Sequence, residues 1–218
     1  MTTGRQAAVR QRPAPRLYLI TPPIGDAGAL VRPLEAALGV ADVAAVLLRL
    51  AEADEPTLVR QVKAIAPVIQ GRNAALLIEG HPEIVARAGA DGAHLSGCDA
   101  LKQALPGLKP DRIAGAGGLQ TRHDAMVAGE AGADYVMFGE PRPGGGRPAF
   151  AAIIDRVAWW SELFEVPCVG FAASIEEVEA LRQAGAEFVA LGEPVWADAG
   201  GPAAVASAAE RLTALELA

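Results

Sequence analysis

Along nearly the whole chain, short runs rich in Val, Leu, Ile and aromatic residues alternate with Ala-rich, charge-dotted segments of helical length. That alternation constrains the fold most. A strand that is followed by a helix and then by another strand pairs in parallel through a right-handed crossover. Eight candidate strands are found, at 17–21, 43–49, 74–79, 92–96, 112–115, 135–139, 167–171 and 188–192, each followed by a helix candidate. Eight such units in 218 residues predict a single-domain α/β fold, a (β/α)8 TIM barrel over residues 17–218, with a doubly wound open sheet as the structural alternative.

An internal echo supports the count. Ala88-Gly89-Ala90-Asp91, Ala131-Gly132-Ala133-Asp134 and Ala184-Gly185-Ala186-Glu187 each close a helix and open a strand, with the glycine placed as a helix C-cap. Two of the following strands end alike, in Phe138-Gly139-Glu140-Pro141 and Leu191-Gly192-Glu193-Pro194. Residues 1–16 carry Arg5, Arg10, Arg12 and Arg16 with no acid and no apolar core, so a disordered basic leader is expected there rather than a secretory signal.

The composition narrows the partners. With 51% hydrophobic and 21% charged residues there is ample material for a core, and no uninterrupted apolar stretch long enough to span a bilayer. A net charge of −7 argues against nucleic acid and anionic membrane, so a small molecule is the expected partner. Cys98 and Cys168 form no CxxC pair, which signals neither a disulfide framework nor a zinc site and fits a reducing cytoplasm.

Function in such a barrel belongs to the loops after the strands. Reading the strand ends in order gives Thr21, Arg49, Glu79 with His81, Ser96 with Asp99, Gly115 to Gly118, Glu140 through Arg147, Ala172 with Ala173, and Glu193. Arg49 closes an apolar run and must find an anion, either a ligand's carboxylate or phosphate or a neighbouring Glu. In Arg142-Pro143-Gly144-Gly145-Gly146-Arg147 the glycines would let backbone N–H groups approach a phosphate; a flexible lid is the alternative. Gly115-Ala116-Gly117-Gly118 is a weaker case of the same kind. His94 reads as a hydrogen-bonded core histidine and His123 as solvent-facing. Ser174 with Glu177 reads as a capping box. Trp159, Trp160, Leu163 and Phe164 are expected to anchor the sixth helix or to form a homodimer patch.

Leu17-Tyr18-Leu19-Ile20-Thr21, Arg49 after an apolar strand, Gly89-Ala90-Asp91-Gly92-Ala93-His94-Leu95 with Asp99, and Ala131-Gly132-Ala133-Asp134-Tyr135 together resemble thiamine phosphate synthase and its relative the thiazole tautomerase. The resemblance implies a (β/α)8 barrel and, in active members, joining of a hydroxymethylpyrimidine diphosphate to a thiazole phosphate with magnesium. Pyrophosphate then leaves a pyrimidine carbocation, so cationic and N–H ligands must hold the diphosphate.

Several positions depart from the pattern that the resemblance implies. Q-x-R-x-K reads Leu47-Leu48-Arg49-Leu50-Ala51, and the metal-holding N-D pair reads Glu79-Gly80. Asp99 matches the second metal carboxylate, which leaves Asp99 and a displaced Glu79 as the magnesium candidates. Gly117 and Leu119 stand at the Ser and the tautomerase His, where neither transfers a proton. T-x-T-K aligns with Gly144-Gly145-Gly146-Arg147, a phosphate-binding glycine pair with Ala172-Ala173, and the small residues after the last strand with Glu193-Pro194.

Two expectations follow. One is a thiamine phosphate synthase-like transferase with a degraded site or an altered substrate; the other is a non-catalytic ligand-binding or partner protein on the same barrel. The expected ligand is a thiamine precursor or related heterocycle, met by Arg49, Gly144, Gly145, Gly146, Arg147, Glu140 and Glu193. Glu140, Glu193 and Glu79 are expected to form an acidic arc that favours a cation, with Glu140 and Glu193 on the same face as Phe138 and Leu191.

Overall fold

Eight parallel strands close on one another in sequence order, β1 pairing back onto β8, in a computed structural model that describes residues 14–142, 145–196 and 200–214. The strands are β1 (Arg16–Ile20), β2 (Val43–Leu48), β3 (Ala75–Glu79), β4 (Gly92–Ser96), β5 (Ile113–Gly117), β6 (Tyr135–Phe138), β7 (Cys168–Ala172) and β8 (Phe188–Leu191). Between and after them lie α1 (Ala27–Leu38), α2 (Glu55–Gln70), α3 (Val85–Ala88), α4 (Cys98–Leu108), α5 (Arg122–Ala131), α6 (Phe150–Leu163), α7 (Glu177–Gln183), α8 (Glu193–Trp196) and α9 (Gly201–Thr213). The closed barrel, not the open sheet, is therefore the fold. Its first strand begins at Arg16, whose N–H donates to the Glu187 carbonyl across the β1–β8 seam. Most of the segment read as a leader lies outside the described residues.

Period-two geometry sorts the strand residues into two layers. Tyr18, Leu47, Leu77, Tyr135, Met137, Val169, Phe171 and Ala190 fill the barrel interior. Their neighbours Leu19, Val46, Leu76, Ala116, Val136 and Val189 join the larger core against the helices. β5 alternates small residues on both faces, and this matters inside. A side chain at Gly115 would strike the Tyr135 ring, its Cβ lying 2.0 Å from Cζ, so the glycine is what lets a tyrosine occupy the barrel centre.

Two of the three repeated Ala-Gly pairs cap helices with the glycine, whereas the C-cap of α7 is Ala184 and Gly185 follows it at φ 95°. Gly89 and Gly132 are left-handed C-caps of α3 and α5, with φ of 75° and 107°, a conformation that glycine adopts without Cβ strain. Trp160 is fully buried, stacked on Phe164 with ring centroids 4.1 Å apart, and its Nε1–H donates to the Val166 carbonyl. It anchors α6, while Trp159 lies under the Arg122 guanidinium and Leu163 is exposed. The expected capping box at Ser174 is not formed. α7 starts at Glu177 with no side-chain cap, because the Glu177 carboxylate is engaged by Arg147 and the Ala173 N–H instead. Among the described residues no helix is long and apolar enough to cross a membrane.

Candidate functional site

All the strands run the same way, so the segments that follow them gather at one mouth. Arg49 and Glu79 both continue the inward parity of Leu47 and Leu77 and meet there, Nε donating to Oε2 over 3.0 Å. Both side chains are about two-fifths exposed, at 41% and 45%. The Arg49 backbone is fixed from below by its N–H donating to the buried Thr21 hydroxyl. Of the two readings of Arg49, the structure shows the pair with a neighbouring Glu. His81, in a left-handed turn, instead meets Glu83 on the surface.

The second cation, Arg147, is also held by a carboxylate. Both of its terminal nitrogens donate to Glu177, at 2.9–3.0 Å, and the guanidinium lies over the Phe150 ring. The same Glu177 carboxylate accepts the Ala173 N–H at 2.8 Å. A cation and a backbone donor that the resemblance assigns to phosphates thus converge on a resident side chain. Gly145 and Gly146 are exposed with φ of 91° and 75°, and Gly144 lies outside the described residues.

Glu140 repeats the arrangement on the other side of the mouth. Its Oε1 accepts the Gly118 N–H at 2.7 Å, so the run Gly115 to Gly118 does present an N–H to an anion, and that anion belongs to the chain itself. Strict alternation would put Glu140 on the outer face with Phe138, which packs on Trp160. Gly139, at φ 97°, reverses the backbone and turns Glu140 inward, which corrects the same-face expectation. Glu193 opens α8 and is exposed.

Beneath Glu140 lies a chain of buried polar groups that sequence reading left in the core. His94 Nε2 is 3.6 Å from Glu140 Oε1, while His94 Nδ1 is 2.8 Å from the Tyr135 hydroxyl, itself 2.9 Å from the Tyr18 hydroxyl. Burial pushes both phenols well above their ordinary value of 10.0. For Tyr18, the negative charges of Glu140 and Glu79 push the same way, against the effect of its hydrogen bond with Tyr135. The inward parity shared by Tyr18, His94 and Tyr135 was the signal available in the sequence; Glu140 joins them only through the Gly139 turn.

Asp99 sits exposed in the first turn of α4, on a groove of about 400 Å³ that also touches Gly97, Gly118, Thr121 and Asp124. The Asp124 carboxylate is already taken, accepting the Thr121 and Gln120 N–H groups. Glu79 is bound to Arg49, and among the described residues no three His, Cys, Asp or Glu side chains stand together as a metal set. Asp99 and Glu79 are thus not joined by a third such side chain into an all-protein metal cage among the described residues.

Comparison with known proteins agrees with the fold and defines the lineage. A family model described as thiamine monophosphate synthase matches residues 17–195. The chain is 42% identical over 192 residues to a thiamine-phosphate synthase of Rhodospirillum centenum, covering 87% of this chain and 93% of that protein. It is 38% identical over 205 residues to one of Hyphomonas neptunium, covering 90% and 93%. Among solved structures, a thiamine phosphate pyrophosphorylase from Pyrococcus furiosus superposes with a TM-score of 0.73 at 18% identity, over 90% of this chain and 95% of that one. A 3-hexulose-6-phosphate synthase superposes with a TM-score of 0.67 at 14% identity, over 89% and 98%, a likeness of fold alone. With most of its length matched by that model and by such relatives, the chain belongs to the thiamine monophosphate synthase family.

Proposed function

We propose that this family member binds a thiamine precursor or related heterocycle at the barrel mouth and does not join the two phosphorylated halves at the rate of an intact synthase. One observation carries the reading: resident carboxylates occupy the anion-binding groups of the mouth. Glu177 takes Arg147 and the Ala173 N–H, Glu140 takes the Gly118 N–H, and Glu79 takes Arg49. A diphosphate would have to displace these carboxylates and then sit among their charges, a repulsion that a partly buried site screens weakly. A neutral or cationic ring faces no such opposition.

The test is a coupled assay of purified protein with hydroxymethylpyrimidine diphosphate, thiazole phosphate and magnesium, run beside the Rhodospirillum centenum relative. Loss of a single donor to a developing anion costs about 10² to 10³ in rate. Turnover at least about a hundredfold below the relative is expected, together with calorimetrically detectable binding of thiamine. Comparable turnover would overturn the proposal.

A further inference from the structure

The residue ahead of every even-numbered strand is an acid: Asp42 before β2, Asp91 before β4, Asp134 before β6 and Glu187 before β8. Ahead of the odd-numbered strands stand Pro15, Ala74, Arg112 and Pro167, none of whose side chains can accept a hydrogen bond. Because the strands are parallel, this alternation lies at the end of the barrel opposite the mouth, away from the site residues.

Each acid reaches back to the odd strand before it. Asp91 donates its own N–H to the Leu76 carbonyl at 2.8 Å while its Oδ2 accepts the Leu76 N–H at 2.7 Å, so one residue satisfies both backbone groups of its β3 neighbour. Asp134 does the same to Ala114 of β5, at 2.9 and 2.7 Å. The Glu187 carboxylate accepts the Cys168 N–H of β7 at 2.9 Å. Asp42 takes Nε and a terminal nitrogen of Arg16, the first residue of β1. In two pairs a second donor arrives from the helix end before the odd strand. Gln70 of α2 donates to Asp91, and Lys109, just past α4, donates to Asp134.

These contacts supply rungs where the backbone ladder is short. β5–β6 registers Gly115 with Tyr135 and Ala116 with Val136, whereas β4–β5 registers Gly92 through Ser96 with Ile113 through Gly117. Without the Asp134 carboxylate the N–H of the buried Ala114 would lose its acceptor, and a buried orphan donor is costly. We infer that the four acids are latches that make each odd strand and the even strand after it one unit of the barrel, so that the rim opposite the mouth opens between pairs rather than within them. Two adjacent amides carry the contrast. The Ile113 N–H crosses to the Asp91 carbonyl of the preceding pair at 2.9 Å, while the Ala114 N–H is held by the latch of its own pair.

The experiment is native-state hydrogen exchange read residue by residue by NMR in low urea, where local opening is seen separately from global unfolding. With intrinsic rates divided out, the Ile113 amide of the wild type should exchange at least about tenfold faster than that of Ala114. In Asp134→Ala the Ala114 amide should speed up at least about tenfold relative to the Leu76 amide, whose latch is intact in the same molecule. Asp134→Asn keeps an acceptor oxygen and should hold Ala114 within about threefold of the wild type. Glu187→Ala repeats the test at Cys168 in a different pair, so the inference does not depend on one variant's folding. An Ile113 amide as protected as Ala114 in the wild type would overturn the opening between pairs. An unchanged ratio of Ala114 to Leu76 in Asp134→Ala, or of Cys168 to Leu76 in Glu187→Ala, would overturn the latch itself.

Discussion

Gly115 shows how a single missing side chain organises the barrel centre. The Tyr135 ring lies where its Cβ would be, and Tyr135 is pinned by hydrogen bonds to Tyr18 and His94, so it has no free direction in which to yield. Overpacking of a close-packed interior costs about 1–3 kcal/mol, and a rigid, hydrogen-bonded neighbour places this site at the upper end. Gly115→Ala should lower the unfolding free energy by about 2–3 kcal/mol in urea titration. A loss under about 0.5 kcal/mol would mean that the tyrosine moves freely. Inward-facing residues such as His94 were legible in the sequence, because alternation is a local rule. The site position of Glu140 was not, since it depends on the φ that Gly139 adopts, and a glycine's φ is not written in its neighbours.

At the scale of elements, two helix starts illustrate one competition. In α5 the Thr121 side chain accepts the Asp124 N–H while the Asp124 carboxylate accepts the Thr121 N–H. Those N–H groups, Thr121 first, hold the Asp124 carboxyl below its ordinary 3.8. A depressed folded-state value means that the capping box stabilises above the unfolded value and is lost as pH falls through the folded one. Thr121→Ala should cost about 1 kcal/mol at neutral pH, and Asp124→Asn should flatten the loss of stability seen on acidifying below about pH 4. A variant as acid-sensitive as the wild type would assign that sensitivity elsewhere. Ser174 and Glu177 have the same spacing, yet no box forms at α7, because Arg147, thirty positions earlier, offers Glu177 a charged partner that sequence spacing does not reveal. Cutting that contact with Glu177→Ala releases Arg147 and the Ala173 N–H together. The variant should bind thiazole phosphate at least about tenfold more tightly than the wild type by calorimetry. Unchanged affinity would place the Arg147 loop outside the ligand's reach.

For the whole molecule, the eight-unit alternation was sufficient to predict closure, and strand limits came within two residues because apolar runs end where chains leave the core. What closes the barrel is a long-range matter. The β1–β8 seam joins residues far apart in sequence, and a Trp196 Nε1–H from α8 donates to the Ile20 carbonyl across it at 2.6 Å. Outside the seam, α9 packs on α1 and β1, with Val205, Ala208 and Leu212 buried. That packing covers the outer side of β1, one of the two strands that form the seam. Burying Val205 and Leu212 is worth about 1.5–3 kcal/mol each, a large fraction of the roughly 5–15 kcal/mol by which a domain is stable. Leu212→Ala should therefore cost about 2–5 kcal/mol through the cavity it leaves. Because the seam closes the whole ring, that loss should appear as one cooperative transition at lower urea, with the Tyr18 and Tyr135 signals moving together with backbone circular dichroism. A separate early transition with the tyrosine environment intact would show that α9 can detach without opening the barrel.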